Sequence, residues 1–362
     1  LAKIAREYDR PDAALLAEAQ ATQDRISDFP APRLKSGYGH FSTRQNVQFN
    51  WIPLDHSADV MDLLASVNLH GIQTSGNCIR NITSDERAGI AVDEIADPRP
   101  FAEIIRQWST LHPEFAFLPR KFKIAISGAR EDRAATAWHD VGLQLIRSEG
   151  EAIHGAPAGE LGFKVLVGGG MGRTPVIATT IREFLPWNQI MNYLEAVVRV
   201  YNRWGRRDNM YKARIKILVK AEGQRFIDDV NAEFAALLQE DAHGDAHLIP
   251  QAELDRVSRS FAVPAVHAVT SAPASPLDTS PAYRRWTERN VHAHRLPGFR
   301  AVTLSLKRAG LPPGDVTAEQ MDGAAALADQ FSRSELRVTH DQNLLLPWVQ
   351  EGDLHRLWEA AR

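Results

Sequence analysis

Polar and less polar positions alternate along "STRQNVQFNWI" (42–52). Ser42, Arg44, Asn46, Gln48 and Asn50 interleave with Thr43, Gln45, Val47, Phe49 and Trp51. A period of two predicts a strand with two unlike faces. Solvated faces usually carry Lys and Glu; this one carries an Arg, amides and a hydroxyl, a set able to grip something polar and fixed. In "SADVMDLLASVNLHG" the pattern changes to i, i+3, i+4, i+7 (Val60, Leu63, Leu64, Val67), with Ser57 as N-cap and Gly71 as stop. Residues 38–71 therefore read as a strand–helix unit. Beyond it, 72–84 reads as strand or loop, 100–112 as helix and 121–129 as a buried strand. Residues 162–185 read as strand, glycine turn and helix, and 187–205 as a long helix ended by Gly205. Residues 1–10 read as the end of a helix, 11–36 as an inserted surface arm, and the Pro-, Ala- and Ser-rich stretch 262–283 as a linker.

The pattern recurs. "LRVTHDQNLLLPWV" (336–349) lies on "GHFSTRQNVQFNWI" (39–52), with Gln45-Asn46 on Gln342-Asn343, Trp51 on Trp348 and Ser42 on Thr339. An amphipathic helix follows each copy. A repeated strand–helix unit predicts a pseudo-twofold domain of two halves separated by a large insertion. The first copy runs on into "TSGNCIRNIT" and the second stops at Arg362, so the chain is expected to end before its second copy is complete.

Composition narrows the field. The net charge of −3 gives no global signature for nucleic acid or a membrane surface. No apolar run approaches a bilayer span. The single cysteine, Cys78, excludes a disulfide framework and suits a reducing, cytoplasmic setting. The chain starts at Leu1 without a secretory signal, which suggests a piece of something longer.

Candidate chemistry lies in basic segments: Arg44, Arg80 in "NCIRN", and Arg120, Lys121 and Lys123 in "LPRKFK". Lys121 and Lys123 share one strand face, with Phe122 turned away. Cations on fixed strand faces suit a buried polyanion, which offsets their desolvation; taken singly, each also reads as an ordinary surface ion pair. "VLVGGGMGRT" invites a dinucleotide reading. The helix expected after it leaves no second strand to place an acid near a ribose, so its glycines also read as allowing close backbone approach. The basic, aromatic stretch 201–220 reads as a nucleic-acid stripe or as a solvated helix end. His292 and His294 share a strand face without a third ligand candidate.

Five segments in order, "GYGHFSTRQNVQFNWI", "IQTSGNCIRNITSDERAG", "HPEFAFLPRKFKIAISG", "GFKVLVGGGMGRTP" and "ELRVTHDQNLLLP", resemble the haemoprotein of assimilatory sulfite reductase and its sister nitrite reductases. The resemblance covers most of residues 37–220 and 285–362. It implies an α+β fold, a pseudo-twofold domain of two ferredoxin-like halves around an inserted α/β sirohaem-binding domain. The implied organisation is residues 1–36 as residual helix and arm, 37–75 as the first half, and 76–261 as the sirohaem- and substrate-binding domain. Residues 262–284 form the linker and 285–362 the second half, with the C-terminal cluster domain missing. By resemblance Ser42, Thr43, Arg44 and Gln48 contact sirohaem, as do Arg120 and Gln342, while Gly168, Gly169 and Gly170 let backbone approach the macrocycle. Arg80, Lys121 and Lys123 line the pocket for sulfite or nitrite and act in catalysis.

The chain also departs from the family. The four cysteines that hold an iron–sulfur cluster of four irons and four sulfurs, one shared with the sirohaem iron, are absent, and Cys78 does not replace them. An anion-binding Arg lies upstream of the chain's start in the family. His40 stands where many relatives carry a cofactor-contacting Arg, and residues 11–36 are inserted. The implied parent activity is six-electron reduction of sulfite to sulfide or nitrite to ammonia, with electrons from a flavoprotein reductase or ferredoxin; no nucleic acid or membrane is expected as a partner. This chain alone is expected to be an inactive fragment. A non-catalytic tetrapyrrole- or partner-binding module is the alternative, and a nucleotide-binding enzyme resting on "GGGMGRT" is a third.

Overall fold

The computed structural model describes residues 1–26, 34–240, 248–263 and 280–362. It divides into two compact units, residues 1–71 with 268–362, and residues 72–267. Most of the expected linker, residues 264–279, lies outside the described residues, as do residues 27–33 of the expected arm. The described part of that arm is the helix Ala13–Ile26, in which only Gln20 is buried.

The first unit holds two antiparallel sheets. One orders Asp315–Thr317, Tyr38–Phe41 and Val47–Gln48; the other orders Arg337–Val338, Leu344–Gln350, Phe299–Leu304 and Val291–Ala293. Phe41, Val316, Met321 and Leu344 close one apolar core, and Val302, Phe331, Leu346 and Leu357 another. The helix Ala318–Phe331 begins with a capping box: the Thr317 hydroxyl accepts from the Gln320 N–H and the Gln320 side chain accepts from the Thr317 N–H.

The repeat is visible element by element. Tyr38–Phe41, a turn, Val47–Gln48, a 3-10 turn Leu54–His56 and the helix Ser57–Ala65 make the first copy. Arg337–Val338, a turn, Leu344–Gln350, a 3-10 turn Glu351–Asp353 and the helix Leu354–Ala360 make the second. Two expectations for the first copy need correction. Ser57 is the first helical residue rather than the cap, which falls on His56 without a side-chain bond, because the preceding 3-10 turn already leads the chain into the helix. The helix ends at Ala65, well before Gly71, so of the expected apolar stripe Val60 is buried while Val67, beyond the end, is 63 % exposed.

The second unit is built on a five-stranded sheet in the order Thr83–Ser84, Ile124–Ser127, Val141–Arg147, Leu161–Val167, Thr179–Pro186. The first three strands run parallel and the last two pairs antiparallel. Ile124–Ser127 is buried along its whole length, as a parallel strand covered on both faces should be. Its core continues into the helices Arg99–Ser109 and Ile190–Trp204 through Phe101, Ile105, Leu194, Val197 and Tyr201. As expected, the second of these helices stops at Gly205.

The glycine run does not open a helix. Residues 179–186 form a strand that returns antiparallel to Leu161–Val167. Thr179, Thr180, Ile181 and Phe184, β-branched and aromatic, fit a pleated surface better than a helix. A dinucleotide fingerprint needs a helix N-terminus after its glycines, and this hairpin supplies none.

Candidate functional site

The expected site residues fall in both units, and each set stands on its own local structure.

In the first unit the run 42–52 is not one strand. The chain turns at 42–46: the Ser42 N–H donates to Asn46 O at 2.8 Å and the Gln45 N–H to Ser42 O at 3.0 Å. Gln45 takes φ 58°, a left-handed conformation that nothing in its side chain announces. The Ser42 hydroxyl accepts from the N–H of Arg44 at 3.2 Å and of Asn46 at 3.4 Å, so it closes the turn. Thr43 and Gln48 are exposed, and Arg44 is half-buried.

The second copy repeats this geometry. The Thr339 N–H donates to Asn343 O at 2.9 Å and the Gln342 N–H to Thr339 O at 3.1 Å, with Gln342 at φ 63°. The two turns also exchange side chains. Gln45 Nε2 donates to Val338 O at 3.1 Å, and Gln342 Nε2 donates to Phe41 O at 3.0 Å. Gln342 Nε2 also lies 3.2 Å from Pro313 O and 3.2 Å from His40 Nε2. His40 Nδ1 meets Asp315 Oδ1 at 2.8 Å. With Nδ1–H donated to the carboxylate, Nε2 is left as the acceptor facing the amide.

In the second unit, residues 77–80 are stitched to 118–122. The Leu118 N–H donates to Asn77 O at 2.8 Å, Phe122 N–H to Cys78 O at 3.1 Å and Arg80 N–H to Phe122 O at 2.8 Å. These bonds bring Arg80 beside Arg120 and Lys121. The Arg80 guanidinium is fixed by Gly76 O at 2.9 Å and Thr74 O at 2.8 Å. Phe122 is buried and Lys121 and Lys123 are half-buried, the alternation expected from their spacing. The side chains of Arg120 and Lys121 make no hydrogen bond or ion pair among the described residues. Burial pushes the Lys121 ammonium below the ordinary lysine range; nearby Arg214, Arg80 and Arg120 push it further, and Asp140 opposes them.

Arg214, Asp140 and Lys216 were not singled out from the sequence. Asp140 is fully buried; its Oδ1 accepts from Arg214 Nε at 2.9 Å and Nη2 at 2.6 Å, and its Oδ2 accepts from the Lys123 N–H at 2.9 Å. Burial raises the Asp140 carboxyl above the usual carboxylate range, against the pull of the Arg214 guanidinium. Lys216 Nζ donates to Thr174 O at 2.6 Å and Met171 O at 3.2 Å, tying down the loop after the glycine run. A signal was present in both places: "RIK" repeats the i, i+2 cations of "KFK", and a lone acid precedes the apolar run "VGLQLI".

The glycines face the protein itself. A Cβ at Gly168, which has φ 91°, would lie 2.9 Å from Val219, and one at Gly169 would lie 2.4 Å from Ala137 O. A Cβ at Gly170 would lie 3.1 Å from both Arg214 Nη2 and Lys216 Cδ. Cys78 is half-buried, and its thiol is pushed up by burial. Among the described residues no group of three or more His, Cys, Asp or Glu side chains is placed to hold a metal ion. His292 Nε2 meets Thr303 Oγ1 at 2.8 Å, and His294 packs between Phe299 and Trp348. No described helix is long and apolar enough to cross a membrane.

This geometry can be set beside known proteins. Residues 75–236 match the nitrite and sulphite reductase 4Fe-4S domain, and residues 305–362 the nitrite/sulfite reductase ferredoxin-like half domain. The chain is 33 % identical over 194 residues to sulfite reductase [ferredoxin] 1 of Mycolicibacterium paratuberculosis, covering 53 % of this chain and 33 % of that protein. It is 26 % identical over 332 residues to the chloroplastic ferredoxin–nitrite reductase of Arabidopsis thaliana, covering 89 % of this chain and 48 % of that protein. The solved structure of the Mycobacterium tuberculosis NirA protein superposes with a TM-score of 0.64 at 26 % identity, over 94 % of this chain and 53 % of that one. The chain thus spans about half or less of the length of these relatives. Two matched domains of one family, together more than half of the sequence, and a shared α+β architecture place the protein: it belongs to the nitrite and sulfite reductase family.

Proposed function

We propose that this chain is the sirohaem- and oxyanion-binding part of a reductase that takes sulfite to sulfide or nitrite to ammonia. The observation that carries the reading is the cation group of the second unit, Arg80, Arg120, Lys121 and Lys123, in which the half-buried side chains of Arg120 and Lys121 make no hydrogen bond or ion pair among the described residues. Cations held in part away from water without a carboxylate of their own fit a ligand that brings negative charge. Sirohaem, an iron tetrapyrrole rich in carboxylates, and a small oxyanion are such ligands.

In this reading Arg120 takes a cofactor carboxylate, and Gly168, Gly169 and Gly170 approach the cofactor by backbone. When bound, sirohaem supplies the iron and the redox-active ring. Arg80, Lys121 and Lys123 bind the anion and stabilise charge developing on its oxygens, and the two lysines donate protons to oxygen leaving as water. Electrons would come from ferredoxin, which the names of the relatives specify, or from a flavoprotein. A four-iron cluster does not fit this chain, whose one cysteine is Cys78, and no step is routed through one.

The alternative reading is a tetrapyrrole-binding module without catalysis. Two measurements separate the readings. Sirohaem titrated into the 362-residue chain should shift its absorption bands, and Arg120→Ala should weaken binding; no shift with wild type sinks both readings. In protein that turns over sulfite or nitrite, Lys121→Ala or Lys123→Ala should lower that turnover by about 100-fold or more. Unchanged turnover would remove the catalytic assignment and leave the module.

A further inference from the structure

Asp140 touches three parts of the second unit's site at once. One carboxylate oxygen takes both Arg214 donors, the other takes the Lys123 main chain, and its carbonyl accepts from the Gly168 N–H at 2.9 Å. With both oxygens engaged and no exposed surface, this carboxylate cannot swing. An Arg side chain with many rotamers is thereby held at one place. That place is near Lys121, whose charged neighbours are Arg214, Arg80, Arg120 and Asp140. Asp140 in turn faces Arg214 and Lys123, with Lys216 and Tyr201 in range.

We propose that Asp140 is a positioning residue which, by fixing Arg214 in place among the cations around Lys121, sets how readily Lys121 gives its proton to a bound oxyanion. The proton passes from Nζ to an oxygen of the anion and is replaced from water. The inference rests on the reading above, in which Lys121 meets the substrate.

Asp140 has two opposed effects on Lys121, and their signs separate the proposal from a plainer one. As an anion, Asp140 favours the charged ammonium, so losing it should make Lys121 more acidic. As an anchor, it keeps Arg214 in place, so losing it should make Lys121 less acidic. Both Asp140 oxygens are spent on Arg214 and on the Lys123 main chain, so its charge is answered locally while its hold on Arg214 is direct, which favours the anchor.

The test is the titration of the Lys121 amine in the 362-residue chain, with lysines carrying 13C-methyl groups for NMR and the Lys121 signal assigned by Lys121→Arg. Asp140→Asn keeps the size of the side chain and an oxygen for the Lys123 N–H. Both Asp140→Asn and Arg214→Gln should raise the Lys121 pKa by about one unit, and the double variant should add little. A Lys121 pKa that falls or stays fixed in Asp140→Asn overturns the proposal. If Asp140→Asn does not fold by circular dichroism, Arg214→Gln decides: no rise overturns it, and a rise supports it. The measurement needs no cofactor, so a negative result leaves the sirohaem titration standing, and a failed sirohaem titration leaves this result readable.

Discussion

Gly169→Ala tests why the glycine run exists. The added methyl carbon would lie 2.4 Å from Ala137 O, 2.6 Å from His139 O and 3.0 Å from His139 N. An ordinary carbon–oxygen contact is about 3.3 Å or more, so two overlaps approach 1 Å. All three atoms are backbone, and no side chain can rotate away to make room. Relief requires moving the 3-10 turn Thr136–Trp138 or the end of the strand Leu161–Val167. Either shift strains the bonds that lock them, Ala178 N–H to Ala137 O and Gly168 N–H to Asp140 O, each 2.9 Å. Overpacking costs about 1–3 kcal/mol and a weakened hydrogen bond about 1 kcal/mol, so a loss of about 3 kcal/mol is expected. In a unit of this size that is a fall in the unfolding midpoint of about 6–12 °C. Calorimetry of the 362-residue chain, following the transition of the second unit, measures it. Gly172→Ala is the control: its φ of 113° strains an Ala, but nothing lies within 4 Å, so it should lose about 1–2 kcal/mol. A Gly169→Ala midpoint within about 2 °C of wild type, or no lower than that of Gly172→Ala, would refute the packing argument.

Two more predictions concern the first unit. Burial, reinforced by Arg295, Arg337 and Arg300, lowers His294 from 6.5 to about 4, and its Nδ1 already accepts from the Leu296 N–H at 2.9 Å. The folded ring is therefore neutral where the unfolded one takes a proton: stability is complete above about pH 6.5 and falls by roughly 2–3 kcal/mol as pH drops to about 4. His294→Phe should flatten that part of a denaturant-midpoint profile against pH, and an unchanged profile would contradict the assignment. Gln45→Ala should lose about 1 kcal/mol and Gln342→Ala more, since Gln342 also serves Pro313 O; the double variant should depart from additivity by about 0.5 kcal/mol or more. Single variants within about 0.3 kcal/mol of wild type by urea unfolding would refute this.

How far the sequence could be read depended on whether a contact was local. The helix Ile190–Trp204 showed its period and its stop at Gly205, and Ile124–Ser127 showed as an apolar run preceded by Lys121 and Lys123. The repeat was readable because Gln-Asn recurs at the same turn positions. Alternation failed at 42–52 because a Gln at φ 58° carries no composition signal, whereas a Gly there would have marked a turn. The strand Thr179–Pro186 was misread as helix because its partner, Leu161–Val167, decides its state, and a glycine turn opens either element. Arg214 and Asp140 stand 74 residues apart, and one residue in a basic stretch looks like the next until a buried acid selects it.

The exchange of Gln45 and Gln342 has a meaning of its own. Two identical subunits paired about a twofold axis make every contact twice, i to j and j to i. Gln45 to Val338 and Gln342 to Phe41 have that form inside one chain. The first unit thus keeps the imprint of an isologous dimer whose partners have become covalently joined. A true dimer must change both faces whenever it changes one. A joined pair is released from that rule: where one turn carries Arg44 its counterpart carries Asp341, and where one strand carries His40 the other carries Arg337. Such a pair can meet a ligand that has no symmetry and still fold by a symmetric plan.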